Sequence, residues 1–561
     1  VRRRTLARSS ALLASWILGQ LGCAAPPSPS KPAPSALDRG AAEITAASIA
    51  GPGRFLSGDE LGGRGPGTRG EALATRFIVS ELEALGLEPG GDHGAWEQVV
   101  NLVGITATHV SSLSVRGRSG AQLSIEPLRD FVVTRTSLAK EKHGLRDAEV
   151  VFVGYGIQEP RFGWDDYAGV DVRGKVVLAL MNDPDWDPGL FAGKRRLYYG
   201  TSRYKRELAA SLGAVAFIGI HTRESMGWPW QVAQSSYGTE NSQLAEPTGA
   251  ELDLALLVTS DAAERIAGAA GQTLAAWSTA ARTKGFRAVP LGTTLSLSVD
   301  TTLRPYQGAN VVGQLRGGDP ALRDEYVVYT AHHDHLGTKL VDGKPVIYNG
   351  AVDNALGVAG VLALARAFAA LPEPPPRSLL FLLVTAEEQG LLGSEHFSVH
   401  PTVPARSLVA DINFDSGNAL GRSPTLYFMG GDKSSLHELA ARVAAQQGRT
   451  IVDEPLPEDG YFYRSDQFNF ARIGVPSLYF RSGPEIQGKP AGWGLEQQRK
   501  YLAERYHQPS DDWESSWDLS GFVEDLQLAF RVGFEAASQP QRVWWSAGDE
   551  FEPAGRARLG E

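Results

Sequence analysis

The chain has 561 residues, 42% hydrophobic and 21% charged, which is enough apolar material for sizeable cores. A formal net charge of -10 argues against nucleic acid or an anionic membrane as partner, since both need a basic face. A single cysteine excludes an intrachain disulfide and a thiolate metal cluster.

The first residues read as a leader. Arg2, Arg3, Arg4 and Arg8 form a basic start, and Ala11 to Leu21 is an apolar run too short to span a bilayer. Leu21-Gly22-Cys23 then resembles a bacterial lipoprotein signal, with Gln20 where an aliphatic residue is usual; the alternative is an ordinary secretory signal. The expectation is export from a bacterial cell, as a periplasmic or envelope lipoprotein anchored through Cys23 or as a secreted protein. No later segment has the length and apolarity of a transmembrane helix.

The Pro-, Ser- and Ala-rich stretch after Cys23 reads as a flexible tether. A helical pattern follows from Ala41 to Leu87, with Leu73, Phe77, Leu82 and Leu85 on one stripe and Gly86 as the stop. It contains a turn-rich loop at Leu61-Gly62-Gly63-Arg64-Gly65-Pro66-Gly67-Thr68. Between Ser112 and Leu303 short strand signals dominate, with a helical piece near Arg206 to Leu212 and no strand ending in a metal-ligand residue. Trp228-Pro229-Trp230 lies in this mostly β insertion, either on a cleft or in local packing.

The α/β rhythm resumes at Gly308. Tyr326-Val327-Val328-Tyr329-Thr330 runs into Ala331-His332-His333-Asp334-His335. Asp353 opens an apolar helical pattern, and Ser378 to Val384 runs into Glu387-Glu388. Ser407 to Asp415 is a further strand ending in a carboxylate, and His507 lies in Tyr506-His507-Gln508-Pro509-Ser510-Asp511. Hard ligands at successive strand ends build a site along the carboxyl edge of a sheet. His332, Asp353, Glu388, Asp415 and His507 suit a borderline or hard divalent ion, zinc best, with cobalt or manganese fitting the same donors. Five ligands hold two ions if one bridges, and Asp353 is the natural bridge. Asp334 shares a face with His332 by strand parity and is placed to orient its ring. Glu387 and Glu388 diverge from an extended backbone, so one can ligate metal and the other serve as base.

These motifs, with Gly62 to Thr68, Asn349 to Gly357, Asn413-Phe414-Asp415 and Tyr463-Arg464-Ser465-Asp466, resemble the M28 family of zinc metallopeptidases. Val151 to Gly156 and Asp165 to Val177 resemble its protease-associated (PA) domain. The resemblance spans about Ala41 to Ala537. It implies a zinc-exopeptidase-type mixed central sheet flanked by helices, interrupted by a mostly β insert. The chain then divides into a leader at 1–23, a flexible linker at 24–40, catalytic parts at 41–111 and 304–541 around a PA-type insert at 112–303, and a tail at 542–561. The resemblance also implies two zinc ions bridged by Asp353, one completed by Glu388 and His507 and the other by His332 and Asp415. Glu387 would be the general base, with Asp334 beside His332 and a cis peptide after Asp353. Val352 and Ser416 depart from the commonest pattern. The activity implied is removal of N-terminal residues from peptides. Three alternatives stay open: a carboxypeptidase using Arg464 to hold a substrate carboxylate, a single-zinc glutaminyl-cyclase-like acyltransferase, and a non-catalytic binding protein.

Overall fold

The computed structural model describes residues 35–560. The leader, Cys23 and most of the linker lie outside the described residues. Ala36–Ala42, at the end of the expected linker, is a helix.

The strands that position the site are β1 (Glu97–Val110), β2 (Val289–Leu315), β3 (Tyr326–His332), β4 (Ser378–Val384), β5 (Leu408–Asn413), β6 (Thr425–Phe428) and β7 (Ser477–Ser482). Their order across the sheet is β1-β2-β4-β3-β5-β7-β6. The middle four, β4, β3, β5 and β7, run parallel, and β1, β2 and β6 join antiparallel. The alternation expected of a one-faced strand is missing from β4 and β5, where every residue is buried, because helices cover both faces.

On one face lie α1 (Ala46–Leu56), α2 (Arg69–Ala84), α3 (Leu356–Ala369), α4 (Ser435–Gln446) and α5 (Ser520–Ser538), and on the other the short helices Leu392–Val399 and Gln467–Arg472. Thr68 caps α2 by accepting the Glu71 amide. The stripe α2 buries most deeply runs through Ala74, Ile78 and Leu82, with Leu73 and Phe77 half-buried at its margin. The span Ala351–Ala369 is apolar and long enough to cross a membrane, but 89% of it is buried against the sheet and α5, so here it serves as core.

β2 is 27 residues long. Its second half pairs with β1 and β4, and its first half with Leu113–Arg116 and Lys142–Phe152 of the inserted stretch. The chain therefore does not pause near Leu303, where the sequence places a boundary: β2 stays paired with β1 without a break from Val299 to Val311. The inserted stretch has its own apolar core. It holds three parallel strands, Val176–Leu180, Ala216–His221 and Leu254–Thr259, with helices such as Ser202–Ser211 and Ser260–Ala269 beside them. Trp228 and Trp230 pack on His221, at ring distances of 4.6 and 5.2 Å, and belong to this local packing.

The tail takes part in the fold. Glu552–Leu559 is a helix, and the Glu550 carboxylate before it accepts from Lys433 Nζ at 2.7 Å, Tyr463 Oη at 2.5 Å and the Tyr198 amide at 2.7 Å. It thus joins the sheet's helical layer to the inserted stretch.

Candidate metal centre

β3, β4 and β5 are parallel, so their carboxyl ends open on one edge. His332 ends β3 and is opposite Val384 of β4. Glu387 and Glu388 follow β4, and Asp415 follows β5 two residues past Asn413. Asp353 comes from the irregular turn ahead of α3, and its peptide bond to Asn354 is cis, as the resemblance implies.

The five proposed ligands converge. His332 Nε2 lies 3.2 Å from Asp353 Oδ1 and 3.4 Å from Asp415 Oδ1. His507 Nε2 lies 3.3 Å from Asp353 Oδ2 and 3.0 Å from Glu388 Oε2. The two oxygens of Asp353 therefore face different partner sets. His335, not among the five proposed ligands, also reaches the centre: its Nδ1 is 2.7 Å from Glu388 Oε1. The ligand atoms of His332, Asp353 and Asp415 lie within 4.8 Å of one another, and so do those of His335, Asp353 and Glu388.

The chemistry of these donors fits a divalent cation. Both ring nitrogens of His335 and Oε1 of Glu388 are buried without a hydrogen-bond partner among the described residues, although two of them are neighbours. Buried polar atoms are normally satisfied, so unpaired donors converging on one point call for a cation. Imidazole and carboxylate together suit zinc.

The surroundings hold each ligand in place. The Asp511 carboxylate accepts the amides of Val352 and Asp353 at 3.2 and 3.1 Å. The Asn354 side chain donates to the carbonyls of His332 and Phe414 and accepts the amides of Ser416 and Gly357. Gly350 adopts φ +57°, and a Cβ there would run into the Asp353 carbonyl and the His335 ring.

The expected pairing of His332 with the Asp334 carboxylate takes another form. His332 Nδ1 lies 3.2 Å from the Asp334 carbonyl and 3.8 Å from its carboxylate. That carboxylate instead accepts the amides of Glu387 and Glu388, at 3.0 and 3.4 Å. Asp334 thus orients the two glutamates through their backbone.

The two glutamates are electrostatically distinct. Burial, with Asp415 and Glu388 nearby, pushes Glu387 well above the usual carboxylate range, against the pull of His332. Burial alone would raise Glu388 too, but the positive charges of His507 and His335 hold it down at about 2. Glu388 stays ionised as a ligand should, and Glu387 takes up a proton readily.

Two residues the sequence did not single out complete the support. Arg64 is 1% exposed. Its guanidinium donates to the carbonyls of His333 at 2.8 Å, Asn349 at 2.6 Å, Gly350 at 3.0 Å and Leu56. It fastens the His332 segment to the Asp353 segment. Glu71 accepts from the Thr385 hydroxyl and the Gly67 amide, steadying the turn that leads to Glu387. Its position in Thr68-x-x-Glu71 matches a helix capping box, which hides this role in the sequence.

Burial raises the Glu71 carboxyl from its ordinary 4.5 to about 7. Such a group binds its proton more tightly in the folded chain, so its favourable contribution is complete below the unfolded value and is lost as pH climbs to the folded one. The shift corresponds to a loss of about 3 kcal/mol across that window. Chemical denaturation of wild type and Glu71→Gln at about pH 5 and about pH 8 checks this. The variant's stability relative to wild type is expected to rise with pH, and a pH-independent difference would contradict it.

Residues 310–531 match the family model described as peptidase family M28. A vacuolar membrane protease of Schizosaccharomyces japonicus is 31% identical over 132 residues, 23% of this chain and 14% of that protein. A probable zinc metalloprotease of Pyrenophora teres f. teres is 34% identical over 126 residues, 22% and 25% of the two chains. The mouse aminopeptidase NAALADL1 is 32% identical over 114 residues, 19% and 13% of the two chains. The matched stretch thus spans a quarter or less of these relatives. Among solved structures, an aminopeptidase from Aneurinibacillus sp. strain AM-1 aligns over 90% of this chain and 97% of its own with a TM-score of 0.49 and 18% identity. The expectation of an exported bacterial protein is corrected by the curated relatives, fungal vacuolar membrane proteases and zinc metalloproteases together with rodent aminopeptidases, which point to a eukaryotic protein. That expectation rested on a short basic-and-apolar pattern around one cysteine, which many unrelated sequences can produce.

Proposed function

Through residues 310–531 the chain belongs to peptidase family M28, and from that premise we propose that it is a zinc-dependent exopeptidase releasing N-terminal residues from peptides. The observation that carries this reading is the split of Asp353, one oxygen toward His332 and Asp415 and the other toward His507 and Glu388. A carboxylate so placed would help to hold two ions, with Asp415 and His332 as the further ligands on one side and Glu388 and His507 on the other. His335 is a further imidazole within reach of the second side.

When bound, the ions supply Lewis-acid chemistry, making water a nucleophile at neutral pH and stabilising charge on the carbonyl oxygen. The chain's own residues do the rest. Glu387 takes the proton of the attacking water and returns it to the leaving amine. Asp334 holds the Glu387 backbone so that its side chain stays aimed at the reaction. The cleft beside the centre, about 760 Å³ and walled by Phe414, Tyr427, Tyr461 and Trp493, receives the substrate.

One further observation keeps the carboxypeptidase alternative in play. Arg464 lines the cleft and makes no hydrogen bond or ion pair among the described residues; its guanidinium lies over the Tyr461 ring, at 4.9 Å. The deciding experiment counts metal by elemental analysis and assays free and N-blocked aminoacyl substrates, before and after removal of metal by a chelator. About two zinc ions per chain, cleavage of free-amine substrates alone, and loss of activity on chelation with recovery on zinc are expected. Cleavage of blocked substrates alone would make it a carboxypeptidase. Full activity after metal removal would overturn the metallopeptidase mechanism.

A further inference from the structure

The cleft contains a guanidinium with spare hydrogen-bonding capacity and no acidic partner. Arg481 sits on β7 and lines the cleft beside the proposed metal ligand Asp415. Its Nη2 donates to the Asp415 carbonyl at 3.1 Å and to the Tyr479 hydroxyl at 2.5 Å. Its Nε is buried without a partner, and its Nη1 makes no hydrogen bond among the described residues. Of the other arginines lining the cleft, Arg505 pairs with Glu514 and Arg464 lies over the Tyr461 ring at 4.9 Å, while the cleft's Asp525 is already paired with Arg449 at 2.7 Å.

A merely structural arginine behaves differently here. Arg64, equally close to the metal centre, directs its guanidinium to four carbonyls. Arg481 uses only one nitrogen, on one carbonyl and one phenol, and forms no ion pair among the described residues. Holding a cation in a walled site without a counter-charge is costly, and the cost is recovered when an anion enters. Arginine is also the side chain best matched to a carboxylate, through paired N–H donors.

We propose that Arg481 sets the specificity of the cleft by pairing with the side-chain carboxylate of the residue being released, so that the substrates are peptides beginning with Glu or Asp. The phenol of Tyr427, across the ladder from Arg481, flanks the same space. The aromatic walls of the cleft accommodate the methylene part of such a side chain. This inference rests on the aminopeptidase reading and adds the substrate class to it.

The test compares Glu-, Gln- and Leu-p-nitroanilide on the zinc-reconstituted enzyme, with Ala-Ala as a peptide whose only carboxylate is at its C-terminus. The proposal expects kcat/KM for Glu to exceed that for the isosteric Gln by about tenfold or more, the scale of a charge-assisted pair. In Arg481→Met this ratio falls to about one, and in Arg481→Lys it is partly restored because a cation remains. Equal rates for Glu and Gln in the wild type overturn the proposal without needing any variant, and so does a Glu preference that survives Arg481→Met. Turnover of Ala-Ala without any of the anilides would place the recognised carboxylate at the C-terminus and overturn the side-chain assignment. If nothing is cleaved, the aminopeptidase reading fails, and calorimetry with free L-glutamate and L-glutamine still judges the site. Tighter glutamate binding that disappears in Arg481→Met upholds carboxylate recognition, and equal binding of the two overturns it.

Discussion

Glu387→Gln is expected to bind metal as the wild type does and to lose turnover by ~10²–10⁴-fold. Glutamine keeps the length and shape of the side chain and the backbone amide that Asp334 holds at 3.0 Å, so the site should stay assembled. What it removes is the carboxylate oxygen proposed to accept the water's proton. The pressure of burial and of two nearby carboxylates, which drives Glu387 toward its protonated form, is the property a base needs. Elemental analysis, thermal unfolding and kcat on one preparation separate the possibilities. Loss of metal along with activity would make Glu387 a ligand, and turnover within about tenfold of wild type would end its assignment as base.

Arg64→Met is expected to destabilise the fold by on the order of 3–5 kcal/mol and to impair metal retention. Methionine fills much of the space but offers no donors to the four buried carbonyls now held by the guanidinium. Each buried acceptor left bare costs about 1–3 kcal/mol unless water reaches it. The damage should spread to the metal centre, because two of those carbonyls, His333 and Asn349, belong to the segments bearing His332 and Asp353. The positive charge is lost as well, and it lies among Asp334, Asp353, Asp511 and Glu388. Denaturant unfolding and zinc stoichiometry measure both effects. A variant with wild-type stability and full metal content would show that the centre assembles without this anchor.

The parts of this architecture readable in the sequence share one property: they are written locally. An apolar run followed within a few residues by His332, Glu388 or Asp415 announces a strand and the ligand at its end. The covered sheet is legible for the same reason, since Leu379 to Val384 has no polar face to offer water. What was hidden depends on long-range approach. His335 lies past its strand, and only the turn through Gly337 and Gly350 brings its ring back to Glu388. Arg64 is separated from the carbonyl of His333 by 269 positions, and nothing in a glycine-rich loop announces a buried cation. Arg481 reads as an ordinary polar residue at the end of a strand until the cleft is in view. Asp334 was placed near its partner by strand parity, but the parity argument could not foresee that the turn after β4 would supply better donors than an imidazole.

The 27-residue strand β2 has a mechanical consequence. Many enzymes suspend an accessory lobe on two thin connectors that flex like a door on its pins. Here the connector is itself part of the masonry, paired with β1 from Val299 to Val311 as it passes from one lobe to the other. Swinging the lobe would shear a ladder, so a substrate must be admitted by small yielding of the cleft-side loops. The register slip of the β1–β2 ladder between Asp300 and Thr301 is where any residual bending would concentrate. Cutting the lobe away would leave raw strand edge in water, inviting pairing between chains. A trimmed enzyme should therefore clump before it gains speed.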